Sequence, residues 1–208
     1  RVSRRQRQMC IRDSINSMSN FFKNSDLDNI KAESIVSDTL NNCDDGELYL
    51  ENSKSESILL DDNKIKNSSY SSDLGYGFRA ITGEVVAYSH SNDISKDSIL
   101  KSSENLKDTL KSKKGTYNHE IPKSNKKYYE DLNPIEEKSQ NSKIKILNEV
   151  NNYIRSKGDI VSQVTASFLG EHKEIEIIRS NSEVLKDVRP LVRFCLLYTS
   201  PSPRDVVP

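Results

Sequence analysis

The sequence predicts an α+β fold in which a twisted antiparallel β-meander is flanked by helices and followed by a helix and a further antiparallel strand group. Two observations predict it. Three segments repeat apolar residues at intervals of three or four, as in an amphipathic helix. Between them lie short alternating stretches bounded by Asp, Asn, Gly and Ser. No apolar run is long enough to cross a membrane, so no membrane partner is expected.

The first helix is predicted over about residues 26–41, with Ser25 or Asp26 capping its first turn. The run Asp44-Asp45-Gly46 should end it and lead the chain into the sheet. The apolar positions at helical spacing are Leu27, Ile30, Ile35, Val36 and Leu40.

A meander of five short strands is predicted next, because tight turns separate five apolar or alternating runs. The strands are predicted at 48–50, 57–60, 65–70, 74–81 and 85–89, with turns at 52–55, 61–63, 71–73 and 82–83.

Two more helices are predicted, at about residues 95–111 and 139–156. The polar stretch 112–136, interrupted by Pro122 and Pro134, is predicted to be a loop or excursion. Three strands should follow at 160–169, 174–179 and 184–194, with a hairpin turn at 170–173. The third helix is predicted to have four apolar residues on one side: Ile144, Leu147, Val150 and Ile154.

The two ends of the chain resemble translated sequencing adapters. Residues 4–14 read RRQRQMCIRDS and residues 195–205 read CLLYTSPSPRD. We therefore expect residues 1–14 and 195–208 to be artefactual, and the last strand to be truncated at Phe194. The N-terminal domain then comprises a helix–meander–helix segment at 15–111, the excursion at 112–136, and a helix with antiparallel strands at 137–194.

Without those ends, the chain has 25 basic and 29 acidic residues, a net charge of −4. The basic N-terminus is therefore no evidence of a nucleic-acid-binding arm. Of the three cysteines, only Cys43 lies between the ends, which predicts a reducing, cytoplasmic location.

The three histidines do not form a ligand set in the sequence. His119-Glu120 begins like a zinc-protease motif, but Lys123 and Ser124 stand where the second histidine would be needed. His90 and His172 have no cysteine at ligand spacing. All three are expected to be structural or surface residues.

Other candidate sites also favour structural roles. Gly75-Tyr76-Gly77 lacks the third glycine of a dinucleotide fingerprint, so close backbone approach or a bulge is expected there. The carboxylate pairs Glu171/Glu174 and Asp44/Asp45 are expected to be solvated rather than catalytic. Cys43 stands beside two acids, which do not activate a thiol.

Aromatic and basic residues mix in the polar excursion, a composition that can bind single-stranded nucleic acid. A flexible loop over a partner is favoured instead, because the trimmed chain is acidic. The residues concerned are Lys113, Lys114, Tyr117, Lys126, Lys127, Tyr128 and Tyr129.

Several separated motifs, in order, resemble the N-terminal domain of the TldD/PmbA family, which is named for modulators of DNA gyrase and comprises metallopeptidases. They cover most of residues 21–194 and are most TldD-like at the last strand. The matching segments are GELYLE at 46–51, SES at 55–57, DLGYGFRA at 73–80, Gly83-Glu84, AYSH at 87–90, 164–171 and DVRPLVR at 187–193.

The resemblance implies a cytoplasmic zinc metallopeptidase that cleaves unfolded or flexible peptides and works with a PmbA/TldE-like subunit. In that family, an H-E-x-x-x-H helix and a distant cysteine hold zinc, with the glutamate as general base. That motif is absent from these 208 residues. No catalytic, metal-binding or cofactor-binding residue is therefore assigned, and zinc is expected only in the full-length protein.

Two alternatives stay open. The chain could be part of a non-catalytic PmbA/TldE-like partner subunit, with the same fold. It could also be a stand-alone peptide- or nucleic-acid-binding module, although nucleic acid is the less expected ligand. In the TldD-like interpretation, the unprotected edge of the meander or the tyrosine-bearing loop is expected to line the path of an extended peptide, which a strand edge can accept by backbone pairing.

Overall fold

The computed structural model describes residues 21–23, 25–111, 128–158, 160–181 and 183–200. Helices and strands are grouped along the chain, in the order helix, three strands, two helices and two strands, as expected of an α+β fold. The helices are α1 (Asn29–Leu40), α2 (Lys96–Leu110) and α3 (Gln140–Arg155), and the strands are β1 (Asp45–Asp61), β2 (Lys64–Thr82), β3 (Val85–Ser91), β4 (Gln163–Arg179) and β5 (Val184–Thr199).

The strands form an open antiparallel sheet in the order β3-β2-β1-β4-β5. Hairpins connect β1 to β2 and β2 to β3, and the register of the second hairpin places Gly77 opposite His90. The α+β prediction is thus confirmed. Within the described ranges, β3 and β5 are the end strands of the sheet.

Two of the predicted meander turns are confirmed. Asp62 and Asn63 have φ of 48° and 66°, as the tight turn of a two-residue hairpin requires. Gly83 has φ of 60°, and its amide donates to Asp44 Oδ2 at 2.6 Å. Both turns carry residue types that tolerate the left-handed region.

Three other predicted turns are wrong, because the strands continue through them. β1 runs through residues 52–55, β2 through 71–73 and β4 through 170–173. The predicted five-strand meander is therefore three longer strands. Strand β5 continues past Phe194 to Thr199, whose carbonyl accepts a hydrogen bond from the Ser162 amide at 2.9 Å.

All three helices are where the sequence predicts them, with small differences at their ends. The N-cap of α1 is Asp28 rather than Ser25 or Asp26, and its Oδ1 accepts from the Lys31 amide at 2.8 Å. Ser95 and Ser139 cap α2 and α3 in the same way.

The chain divides into two compact units. Unit 1 comprises residues 1–52, 73–131 and 173–188, and unit 2 comprises residues 53–72, 132–172 and 189–208. Four strands, β1, β2, β4 and β5, contribute residues to both units.

The core of unit 1 forms where α1 and α2 pack on one face of the strands. Alternation along β1 buries Leu48 and Leu50, and alternation along β2 buries Phe78 and Ala80. Val36, Leu40, Ile99 and Leu106 from the helices and Ile178 from β4 complete this core. Hydroxyl groups are paired within it, as in the contact of 2.6 Å between Thr39 Oγ1 and Ser103 Oγ.

The smaller core of unit 2 contains Ile58, Leu60, Leu147 and Ala166. Of the predicted apolar side of α3, Leu147 belongs to this core and Ile144 packs against it. Leu147 is buried as expected, but its buried neighbours on the helix are Lys143 and Asn151. Ile144, Val150 and Ile154 are only half-buried. In the described part of the chain, no helix is long and apolar enough to span a membrane.

Candidate functional site

The described histidines lie on different strands. His90 is exposed on β3 and stacks on Tyr88, with ring centroids 5.6 Å apart. His172 is buried within β4, so its predicted place in a hairpin turn is wrong. His119 lies outside the described residues.

The residues present do not fit the zinc site that the family resemblance implies. Across the described ranges, no group of three or more His, Cys, Asp or Glu side chains could hold a metal ion. Structural and catalytic zinc sites need at least three protein ligands. We therefore derive no catalytic step through a metal for this chain.

Gly75 and Gly77 lie inside β2, where backbone approaches Gly75 closely and a side chain approaches Gly77. A Cβ on Gly75 would be 3.0 Å from the carbonyl oxygen of Ser91. A Cβ on Gly77 would be 2.7 Å from the hydroxyl of Tyr88, whose ring crosses the position. The glycines thus leave room for β3 and the residue that follows it.

The acidic pairs have structural contacts. Asp44 binds the hairpin amide of Gly83. Glu174 is buried rather than solvated, and its Oε2 accepts from Asn52 Nδ2 at 3.0 Å. Glu176, two residues further along the same side of β4, accepts from Lys186 Nζ at 2.9 Å. These contacts stabilise the sheet.

Cys43 follows α1 and packs against the core of unit 1. It is half-buried, and its thiol lies 3.8 Å from the Thr39 carbonyl oxygen as a donor. That contact is the weak hydrogen bond of a small structural residue.

The tyrosine- and lysine-bearing excursion is described only at its end. Tyr128 and Tyr129 are exposed. Lys113, Lys114, Tyr117, Lys126 and Lys127 lie outside the described residues.

The most unusual group in unit 2 is a buried ion pair that sequence reasoning missed. Lys143 of α3 forms an ion pair with Glu56 of β1 and donates a second hydrogen bond to the Ile135 carbonyl at 2.6 Å. The ammonium also lies 5.4 Å from the centre of the Phe168 ring. Burial removes both charges from water, which costs free energy. The mutual ion pair and the additional hydrogen bond of Lys143 offset that desolvation cost.

A signal for this pair was present in the sequence. Lys143, Leu147 and Asn151 recur every four residues, and therefore share one side of α3. Lysine and asparagine normally mark the solvent side of a helix, so hydrophobic periodicity alone selected the neighbouring apolar residues instead.

A cavity of about 210 Å³ lies beside Lys143 in unit 2. Its walls are mainly apolar, and three charged residues, one acidic and two basic, line it as well. Strands β4 and β5 both contribute lining side chains, which lie on one face of the sheet because side chains alternate between the two faces of a strand. The lining residues are Pro134, Glu137, Lys138, Lys143, Ile146, Phe168, Val192 and Phe194.

Near this cavity, Lys54 pairs with Glu136 at 2.8 Å. The hydrogen bond and charge of Lys54 lower the pKa of Glu136 from its usual value. The mainly apolar lining makes the cavity suited to binding an apolar group.

Two consecutive parts of the chain match one protein family. Residues 46–112 match PmbA/TldA metallopeptidase domain 1, and residues 133–198 match the PmbA/TldA metallopeptidase central domain.

Curated relatives lead to the same group. The chain is 30% identical over 154 residues to a Metalloprotease TldD homolog of Buchnera aphidicola, covering 74% of this chain and 32% of that protein. It is 30% identical over 161 residues to the Metalloprotease TldD homolog of Haemophilus influenzae, covering 74% and 33%. The chain thus spans about a third of the length of these relatives.

Among solved structures, TldE from Thermococcus kodakarensis has a similar fold, with a TM-score of 0.63 at 13% identity. The similarity covers 84% of this chain and 40% of TldE.

Proposed function

Because the chain belongs to the PmbA/TldD metallopeptidase family, we propose that it is the non-catalytic N-terminal part of a TldD-like zinc metallopeptidase. The observation that carries this proposal is the 30% identity to TldD homologues over 154 residues. The order of the two family domains along the chain supports it further.

In this proposal, the full-length protein hydrolyses unfolded or flexible peptides in the cytoplasm, together with a PmbA/TldE-like subunit. Its zinc ligands and general base belong to a part of the protein outside these 208 residues, since the H-E-x-x-x-H motif is absent from them. The present chain contributes chamber wall and subunit contacts.

An alternative is that the chain is part of a non-catalytic PmbA/TldE-like subunit. The fold similarity to TldE favours keeping this candidate. The TldD-like proposal takes precedence because the curated relatives named above are TldD homologues.

The test is to recover the complete reading frame that contains this chain and to express its product with and without a PmbA/TldE-like subunit. We expect bound zinc, and cleavage of an unfolded labelled protein that stops on chelation and returns with added zinc. The matched control replaces the glutamate of the H-E-x-x-x-H motif with glutamine, which should abolish cleavage while zinc remains bound.

A frame that encodes no such motif, and whose product is inactive alone but required by a TldD-like subunit, would establish the alternative. Cleavage that survives both chelation and the glutamate substitution would refute the proposal.

A further inference from the structure

Strand β5 is an edge strand of the sheet among the described residues. Within the described residues it pairs with β4 alone, so its other edge presents backbone groups that no described strand takes up. Pro190 lies in this strand, and proline is tolerated in sheets mainly at edges. Such an edge can accept an extended segment by backbone hydrogen bonding.

The apolar cavity of unit 2 is open to this same strand. Val192 and Phe194 are two residues apart on β5, so their side chains lie on one face, and both line the cavity. They remain 54% and 43% exposed. Directly opposed residues of paired strands have side chains on the same face. A residue opposite Val192 or Phe194 would therefore direct its side chain over the cavity.

The size and lining of the cavity suit one large apolar side chain. The cavity has a volume of about 210 Å³ and is lined by Pro134, Ile146 and Phe168 in addition to the two β5 residues. Lys143 contributes to the wall, but Glu56 and the Ile135 carbonyl already engage its ammonium group. The apolar residues of the wall are thus the part of the cavity that would contact an apolar side chain.

The positive charge of Arg193, on the face of β5 opposite the cavity, determines which residues are preferred next to the apolar residue of a bound peptide. Arg193 lies between Val192 and Phe194 in sequence, so its side chain is on the other face of β5, and it is exposed. Glu137 and Lys138 beside the cavity offset each other. Cross-strand pairs of opposite charge stabilise strand pairing. Acidic residues flanking the apolar one are therefore preferred.

We propose that the β5 edge and the adjoining cavity form a docking site for an extended peptide in which a large apolar residue is flanked by acidic residues. The peptide adds a strand beside β5 and places its apolar side chain in the cavity. This inference rests on the proposed function only for its ligand class, an extended peptide. It concerns binding, and involves no bond cleavage.

The experiment measures binding of fluorescent peptides to the 208-residue chain by fluorescence anisotropy. The probe alternates Glu with Phe or Val, and the comparison peptides carry Lys in place of Glu or Ser in place of the apolar residues. We expect the acidic apolar probe to bind most tightly. Replacing its apolar residues should weaken binding by about tenfold or more, because the cavity contact is lost.

Two substitutions locate the site. Ile146→Arg puts a charge at the cavity wall, on a helix position that is 40% exposed, and should weaken probe binding by about tenfold or more. Its matched control is Ile30→Arg, at an 80% exposed isoleucine of α1 in unit 1, which should leave binding unchanged. Arg193→Glu should reverse the preference between the acidic and basic peptides.

Equal binding by I146R and I30R, or an unchanged charge preference in R193E, would overturn the proposal, as would the absence of binding by any peptide. Circular dichroism checks that the variants fold, and R193E alters an exposed residue, so the test does not depend on I146R. Binding that follows these expectations, in a full-length protein without metal-dependent cleavage, would retain this site and refute the proposed enzyme.

Discussion

Lys143 illustrates how much a single buried charge can depend on its partner. Glu56 is the acidic member of the pair, and both side chains are almost completely removed from solvent. Removal of one partner leaves an uncompensated charge, whereas replacement of both by apolar groups removes the desolvation cost as well.

We therefore expect Lys143→Met to lower the free energy of unfolding by about 3–5 kcal/mol. The double substitution Lys143→Met with Glu56→Leu should recover most of that loss. Urea denaturation followed by circular dichroism measures both. Lys54→Met, which breaks the more exposed pair with Glu136, is the control and should cost about 1 kcal/mol or less. Equal losses in the single and double Lys143 variants would contradict this account.

Asp61 provides a pH-dependent contribution at the start of the first hairpin. Its Oδ1 accepts bonds from Thr165 Oγ1 at 2.7 Å and Gln163 Nε2 at 3.0 Å, and these lower its pKa below the usual 3.8. A carboxyl group whose pKa is lower in the folded state stabilises the fold above its unfolded pKa. That stabilisation is lost as the pH falls through the lower, folded pKa.

The melting temperature should accordingly fall less for Asp61→Asn than for the unmodified chain as the pH is lowered from about 5 to about 3. Thermal scans at several pH values measure this difference. Asp73→Asn, at an exposed position of β2, is the comparison that removes a carboxylate without these hydrogen bonds. An identical pH dependence for D61N and the unmodified chain would show that these hydrogen bonds do not favour the ionised form.

At the scale of elements, two glycines of the sheet differ in what surrounds them. A Cβ on Gly46, at the start of β1, would lie 2.7 Å from the backbone oxygen of Arg79 and 2.5 Å from Leu40. On Gly77 the nearest atom is the hydroxyl of Tyr88, at the end of an exposed side chain. Backbone cannot move aside as a surface tyrosine can.

Gly46→Ala should thus destabilise the chain by about 1–3 kcal/mol, and Gly77→Ala by clearly less. Chemical denaturation of the two variants, side by side, tests the difference. Equal destabilisation would mean that Tyr88 is held as firmly as the backbone.

The helices and the two hairpin turns could be predicted because their signals are local. Ser95 and Ser139 cap helices, while Asp62, Asn63 and Gly83 adopt positive φ. The three false turns have a non-local explanation. Polar runs such as residues 52–55 remain in strands because neighbouring strands satisfy their backbone groups, a contribution that local composition does not contain.

The segment 170–173 is a second place where local composition did not predict the structure. Gly170 suggested a turn, but it lies inside β4, where a Cβ would meet Ile135 and Phe168 at 3.3 Å. The glycine thus marks close packing. The candidate docking site was only partly predictable. Peptide pairing with a strand edge was expected at the meander rather than at β5, and the cavity requires α3 and β5 to meet beside Phe168.

At the scale of the whole molecule, the chain is expected to lack metal-dependent peptidase activity by itself. Its described residues offer no metal cluster, and the zinc motif is missing from the sequence. Purified chain should contain less than stoichiometric zinc by elemental analysis, and should leave an unfolded labelled protein intact with added zinc. Chelator-sensitive cleavage by the 208-residue chain would contradict this expectation.

The division of four strands between two compact units has a consequence for how the protein is made. Each unit combines three separate stretches of sequence, and each includes a stretch that starts at residue 173 or later. When only the first two-thirds of the chain has left the ribosome, each unit still lacks its last stretch of sequence. Contacts between distant parts of a sequence form slowly, and both units need residues of β4 and β5 to be complete. Nascent chains stalled before β4 should therefore remain sensitive to protease over their whole emerged length.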